Sequence, residues 1–208
     1  MTERRDFDVA AADWDEKPQR VKLARQISAA ITAALPLSKE WNAMDFGCGT
    51  GLVTLNLAPR LGSIVGIDSS RKMVERLNAK VAELGCTNAR GERLDLERGE
   101  LPGGRYQLIT SAMTMHHIPE IVPLLESLRN LLHPGGRIAL ADLEAEDGTF
   151  HEDSTGVFHH GFGREEFTQL LSQSGFADIS ISTVAEVTKG ERSYPVFLAT
   201  AVAAFSKR

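Results

Sequence analysis

The chain is short of cysteine, of aromatic residues and of long apolar runs. Two cysteines in 208 residues, Cys48 and Cys86, cannot frame a disulfide scaffold, and no CxxC pair offers a zinc motif. Both read as free thiols, with Cys48 chosen for its small size. No apolar stretch approaches the roughly 20 residues that a membrane-crossing helix needs. The opening "MTERRDFDVAAADWDEKPQR" lacks the apolar core of a signal peptide, so the expected address is the cytoplasm, with no membrane partner. Basic charge is scarce as well. The chain has 23 Lys and Arg against 28 Asp and Glu, a formal net charge of -5, and the basic residues nowhere form a run. Nucleic acid, which demands clustered Lys and Arg, is therefore disfavoured, and a small molecule is the expected partner. A monomer and a homodimer fit equally.

What is present is the composition of a globular protein, 42% apolar and 25% charged. Without repeats or a linker, one domain over residues 1–208 is expected: a cap or lid with its helix over 1–36, and a core over 37–208. Residues up to about 18 form a polar arm carrying Phe7, Val9 and Trp14. Apolar residues at 21, 24, 27, 31 and 34 then keep helical spacing until Pro36. Beyond that, strands and helices alternate. Strands are expected at 42–46, 63–68, near 89–94, 106–112 and 137–143. Helices fall between them at 52–61, 70–85 and from Pro119 to about Leu132, where "HPGG" turns the chain. A helix over 164–175 and strands at 178–184 and 195–203 close the sequence. Unbroken apolar strands alternating with helices imply a parallel sheet covered on both faces, and the last two strands, joined by a short connection, pair antiparallel.

"AMDFGCGTGL" places Gly47, Gly49 and Gly51 between the first strand and a helix, at the sheet edge where open α/β folds bind ligands. The spacing G-x-G-x-G is not the dinucleotide fingerprint, and no lysine makes it a phosphate loop. Asp68 ends "VGID" 21 residues after Gly47. A carboxylate at that tip accepts hydrogen bonds from two ribose hydroxyls, which points to an adenosine-type ligand. Taken singly, the glycines also serve a tight turn and the Asp also serves as a helix N-cap.

With "MHHIPE" and "LRNLLHPGGRIALADL", these stretches make the chain resemble the class I S-adenosylmethionine-dependent methyltransferases, in particular those acting on small molecules. The resemblance implies a Rossmann-like α/β three-layer sandwich. Its seven-stranded sheet has the order 3-2-1-4-5-7-6, strand 7 antiparallel, with helices on both faces. It implies S-adenosylmethionine as cofactor and S-adenosylhomocysteine as product. Asp45, Gly47, Cys48, Gly49 and Gly51 would form the loop against the amino-acid portion of the cofactor. Asp68 would hold the ribose, Ser69 and Met73 would lie near the adenine, Asp95 and Leu96 at its edge, and Ser111 beside the sulfonium. Where many relatives carry Asp in the fourth strand this chain has Gln107, a position with a structural role. The motif of nucleobase- and glutamine-methylating relatives is absent after that strand.

Transfer of an activated methyl needs alignment, exclusion of water and, for a hydroxyl or ammonium acceptor, a base. His116 and His117 follow the fourth strand and His151, His159 and His160 the fifth, so both groups are expected to face the pocket. His116, His117 and His160 are the candidate bases. The first two also read as a turn whose imidazoles satisfy backbone groups ahead of Pro119, and His159 and His160 as a substrate wall. No histidine spacing matches a metal site, and none is expected. The rival readings are a nicotinamide-dependent oxidoreductase, which the glycine spacing disfavours, a protein or RNA methyltransferase, and a noncatalytic S-adenosylmethionine-binding module.

Overall fold

The fold was obtained as a computed structural model that describes residues 5–96, 99–100 and 102–204. Residues 1–4 of the expected arm and Leu101 of the loop after the third strand lie outside these.

The arm has more structure than its polar composition suggests. A single helical turn, α1 (Phe7–Ala10), is capped by the Asp6 carboxylate, which accepts from the Asp8 N–H, and a 3-10 turn follows at Trp14–Glu16. Pro18 then starts α2 (Pro18–Ala34), where its missing N–H costs nothing. This helix buries Ala24, Ile27, Ser28 and Ile31, the face predicted from the apolar spacing.

The core alternates β1 (Asn42–Phe46), α3 (Leu52–Leu57), β2 (Ser63–Asp68), α4 (Arg71–Glu83), β3 (Ala89–Arg93), β4 (Tyr106–Ala112), α5 (Ile121–Asn130), β5 (Leu132–Leu143), α6 (Arg164–Gln173), β6 (Phe176–Lys189) and β7 (Arg192–Ala203). The strands form one sheet in the order β3-β2-β1-β4-β5-β7-β6, with β7 antiparallel to both neighbours and the other pairs parallel. This is the expected Rossmann-like order. One apolar cluster packs α5 and α6 on one face of the sheet, and a second packs α2 and α3 on the other. Among the described residues no helix is long and apolar enough to cross a membrane.

Several boundaries differ from expectation, among them the end of α3, which stops at Leu57 and gives way to a 3-10 turn over Ala58–Arg60. Helix α5 starts at Ile121 behind Glu120, two residues after Pro119, and ends at Asn130. The "HPGG" stretch is an irregularity inside β5, because Leu132 already pairs with Tyr106 before the register shifts and resumes at Leu108 opposite Arg137. The closing hairpin is longer at both ends, since β6 is an outer strand with little buried surface and its apolar signal covers only part of its length.

Gln107 has the structural role expected of it. Its side-chain carbonyl accepts the Asn42 N–H at 2.8 Å and so ties the start of β1 to β4.

Candidate active site

The C-terminal ends of β1 and β4 meet where the strand order reverses, the position at which open α/β sheets bind ligands. The glycine loop leaves β1 there. It is fastened to β2 by the Gly47 and Cys48 N–H groups, which both donate to the Ile67 carbonyl at 2.8 and 3.1 Å. A Cβ at Gly51 would be driven into Leu77 of α4, and one at Gly47 into Thr114, so two of the three glycines are bare because the turn packs tightly. Gly49 is different. Its φ of +52° favours glycine, yet the nearest atoms that a Cβ there would meet are Met73 Sδ at 3.9 Å and Trp14 Nε1 at 4.0 Å. A Cβ there would make ordinary contact without a clash, so the backbone conformation rather than crowding calls for glycine at this position.

Asp68, at the tip of β2, accepts the Gly49 N–H at 2.9 Å and the Ser70 N–H at 2.8 Å. Burial raises its carboxyl above the usual range, against the pull of the Ser70 and Gly49 N–H groups. Ser70, not Asp68, is the N-cap of α4: its hydroxyl accepts the Met73 N–H at 3.2 Å. Ser69 is exposed beside Asp68, and the buried Met73 forms the floor under Gly49. Asp95 and Leu96 follow β3, where a turn joins Asp95 to Glu100 in both directions; the Leu96 side chain enters the apolar core.

Two of the cofactor candidates are placed away from direct contact. Asp45 is buried, and its two oxygens accept Thr54 Oγ1 at 2.6 Å and Thr110 Oγ1 at 3.0 Å, which braces α3 and β4 against the loop from behind. Cys48 points to Gly66 of β2, where there is room for no larger side chain, and burial pushes its thiol well above the ordinary value. Sequence spacing locates a loop but does not say which side chains turn inward. Ser111, by contrast, is buried at the end of β4 with its hydroxyl unpartnered among the described residues.

Burial pushes the Asp45 carboxyl up to about 6, so the folded protein holds this proton through a range in which the unfolded chain has lost it. Stability from this group is complete below about pH 4 and is lost as pH rises through about 6, a difference of about 3 kcal/mol. Asp45→Asn is expected to remove that part of the pH dependence, flattening the midpoint of thermal unfolding between about pH 4 and 6.5 in calorimetric scans.

The segment after β4 brings the histidines together. Met113 has φ +56°, a strained conformation for a residue with a side chain, and Thr114 donates to the Gly47 carbonyl at 3.2 Å. His116 follows, buried, with Nδ1 2.6 Å from Oδ1 of the buried Asp142 in β5. Asp142 also accepts the backbone N–H groups of His116 and Leu143. Burial alone would raise its carboxyl, but the His116 imidazole and these bonds hold it below the usual range. His117 Nδ1 lies 2.7 Å from the Gly156 carbonyl, and burial beside His116 lowers its pKa to about 4. His151, from the loop after β5, completes the group: ring centres lie 5.0 Å from His116 and 5.7 Å from His117, which are 4.2 Å apart.

His160 is not among them. Its half-exposed ring lies 3.6 Å from Glu146, and His159 turns the other way, onto the Ile118 carbonyl and the Phe162 ring. These two adjacent rings are turned apart, whereas His116 and His117, in the 3-10 turn Met115–His117, stay 4.2 Å apart. Among the described residues no three His, Cys, Asp or Glu side chains are arranged to hold a metal ion.

The N-terminal segment spans both halves. Asp15 accepts Thr50 Oγ1 at 2.5 Å and pairs with Lys80 at 2.7 Å, while Asp8 accepts Ser70 Oγ and the Lys72 N–H. Phe7 meets Trp14 edge-on at 6.2 Å and His117 at 5.1 Å, so it joins the glycine loop to the histidines.

Residues 43–136 match the methyltransferase-domain family. The malonyl-[acyl-carrier protein] O-methyltransferase of Dechloromonas aromatica is 30% identical over 207 residues, covering 93% of this chain and 71% of that protein. The chain belongs to the class I S-adenosylmethionine-dependent methyltransferases. The 27-O-demethylrifamycin SV methyltransferase of Amycolatopsis mediterranei is 25% identical over 188 residues, 85% of this chain and 69% of that one. The crystal structure of an S-adenosylmethionine-dependent methyltransferase from Aquifex aeolicus superposes with a TM-score of 0.71 at 21% identity, covering 95% of this chain and 98% of that one. The chain spans about half the length of several other curated relatives that it matches, 56% and 51% in two cases. The Asp68 carboxylate at the tip of β2 and the orphaned Ser111 hydroxyl fit the cofactor of this family.

Proposed function

We propose that this chain transfers a methyl group from S-adenosylmethionine to a small-molecule acceptor, leaving S-adenosylhomocysteine, with His116 as the general base. The observation that carries the base assignment is the buried His116–Asp142 pair, in which His116 lies past the end of β4, two residues from Thr114, which bonds to Gly47 of the glycine loop. Asp68 would accept the ribose hydroxyls, with Met73, Ser69, Asp95 and Leu96 around the adenine. The bound cofactor supplies an activated methyl on a sulfonium, so the chain needs no metal and no covalent nucleophile.

The protein residues do the rest. Asp142 accepts the Nδ1 proton of His116, which leaves Nε2 with a lone pair. Proton uptake at Nε2 makes an imidazolium against a carboxylate, in a site from which Phe7, Trp14 and the loop after β5 exclude water. The name of the Dechloromonas relative specifies a malonyl group borne on acyl-carrier protein, and that of the Amycolatopsis relative, which specifies a rifamycin, supports a small organic acceptor. So does the net charge of -5, which gives nucleic acid little to hold.

The test is calorimetric titration with S-adenosylhomocysteine and, separately, with NAD. Micromolar binding of the first supports the proposal, and binding of NAD alone would overturn it. The bridging contacts of Phe7, Asp8, Trp14 and Asp15 make the N-terminal segment a lid in this reading. Removal of residues 1–16 is expected to raise the dissociation constant for S-adenosylhomocysteine about tenfold, and an unchanged constant would count against the lid.

A further inference from the structure

The loop after β5 carries a histidine that the proposed reaction does not use. His151 Nε2 is buried and has no hydrogen-bond partner among the described residues. Leaving a polar atom so placed costs about 1–3 kcal/mol, a cost that is removed when a ligand satisfies it. The His151 ring is held by neighbours on several sides: Phe150 edge-on at 4.8 Å, His116 and His117 across the cluster.

The three imidazoles are not equivalent. His116 and His117 each have Nδ1 committed, to Asp142 and to the Gly156 carbonyl, so their Nε2 atoms are hydrogen-bond acceptors. His151 alone has no partner fixing its tautomer among the described residues. The cluster thus offers acceptors for one proton and, at His151 Nε2, an atom free to donate or accept.

Charge around the cluster is positive. The Arg5 guanidinium lies 5.8 Å from the Phe7 ring, which meets His117, and Lys189 lies over the Phe150 ring at 4.0 Å and donates to the Phe150 carbonyl. Of the carboxylates nearby, Asp142 is saturated by His116 and two backbone N–H groups. Asp153 is turned onto the Thr155 N–H, and Glu146 takes the Thr149 and Phe150 N–H groups on Oε2 while its buried Oε1 faces the His160 ring at 3.6 Å. Phe7 and Phe150 give the cluster flat apolar edges.

We propose that His151 Nε2 is the hydrogen-bond anchor for the methyl acceptor, and that the acceptor brings to it an uncharged O–H on a flat apolar frame rather than an ammonium. The proposal rests on the methyltransferase reading and narrows its acceptor. Fold and burial place His151 there, and its pKa, lowered to about 3 by burial and the neighbouring imidazoles, keeps it neutral through the working range.

Protein saturated with S-adenosylhomocysteine is titrated with phenol and, as its cationic counterpart, with benzylammonium, following calorimetric heats and the imidazole nitrogen resonances. Phenol is expected to shift the His151 resonances and to bind at least about fivefold more tightly than benzylammonium. His151→Phe, which keeps a ring against Phe150, is expected to weaken phenol about fivefold, and His151→Gln, which restores an N–H, to recover most of the loss. Benzylammonium binding as tightly as phenol, unmoved His151 resonances, undetectable phenol binding or an unchanged affinity in His151→Phe would each overturn the proposal. Failure of S-adenosylhomocysteine itself to bind in the first step would instead bring down the methyltransferase reading.

Discussion

Asp68→Ala is expected to weaken S-adenosylhomocysteine binding at least about 100-fold, to the point where micromolar binding by the intact protein becomes undetectable in a standard calorimetric titration. Two losses combine. The carboxylate that would accept the ribose hydroxyls is gone, and hydrogen bonds to a charged acceptor contribute about 1.5–3 kcal/mol each. The loop also loses its tie, because Asp68 holds the Gly49 and Ser70 N–H groups at 2.9 and 2.8 Å and so joins the glycine turn to the start of α4. Asp68→Asn separates the two. Its amide oxygen still accepts one backbone N–H, but its NH2 faces donors, so binding should fall by less than in the alanine variant. Thermal unfolding measured beside the titration shows whether the loop or the whole fold is affected. A dissociation constant for Asp68→Ala within about threefold of the parent's would remove Asp68 from the cofactor site.

The features legible in the sequence are those whose partners are close in the chain or imposed by the fold class. Strand and helix alternation, the glycine turn and the tip position of Asp68 follow from local pattern, because each strand feeds the next helix over a few residues. Register and side-chain direction do not follow in that way. The family resemblance sets Asp45, near the end of the first strand, against the cofactor, and only packing shows that it faces Thr54 and Thr110. The latch made by Asp8 and Asp15 joins residues 62 and 65 positions apart, and single carboxylates in a polar arm carry no signal of it. The histidines show the same limit from the other side. Adjacent His159 and His160 draw the eye, yet the loop turns them apart and delivers His151 instead, flanked only by Phe150 and Glu152 in sequence. The irregular start of β5 is hidden because "HPGG" is turn chemistry whether it ends a strand or interrupts one.

Asp142→Ala is expected to have the largest effect on stability, about 3–5 kcal/mol, because it leaves the buried His116 without its partner and strands the N–H groups of His116 and Leu143. Urea denaturation of the two proteins measures the difference. The pH dependence has a definite sign. The Asp142 carboxyl lies below its ordinary range in the folded protein, so its contribution is present above about pH 4 and is lost as pH falls further. Asp45 acts in the opposite sense over the interval above that, so acid unfolding of the parent should steepen only below about pH 4, and Asp142→Asn should blunt that limb. The asparagine variant also separates structure from chemistry. It keeps the volume and can still accept the Nδ1 proton, but it lacks the charge that stabilises an imidazolium on His116. With an acceptor in hand, kcat is expected to fall about 100-fold or more while the affinity for S-adenosylhomocysteine stays within about twofold. Equal loss of affinity and turnover would make the pair a brace for the site and return the choice of base to His117, which belongs to the same cluster and whose pKa burial lowers to about 4.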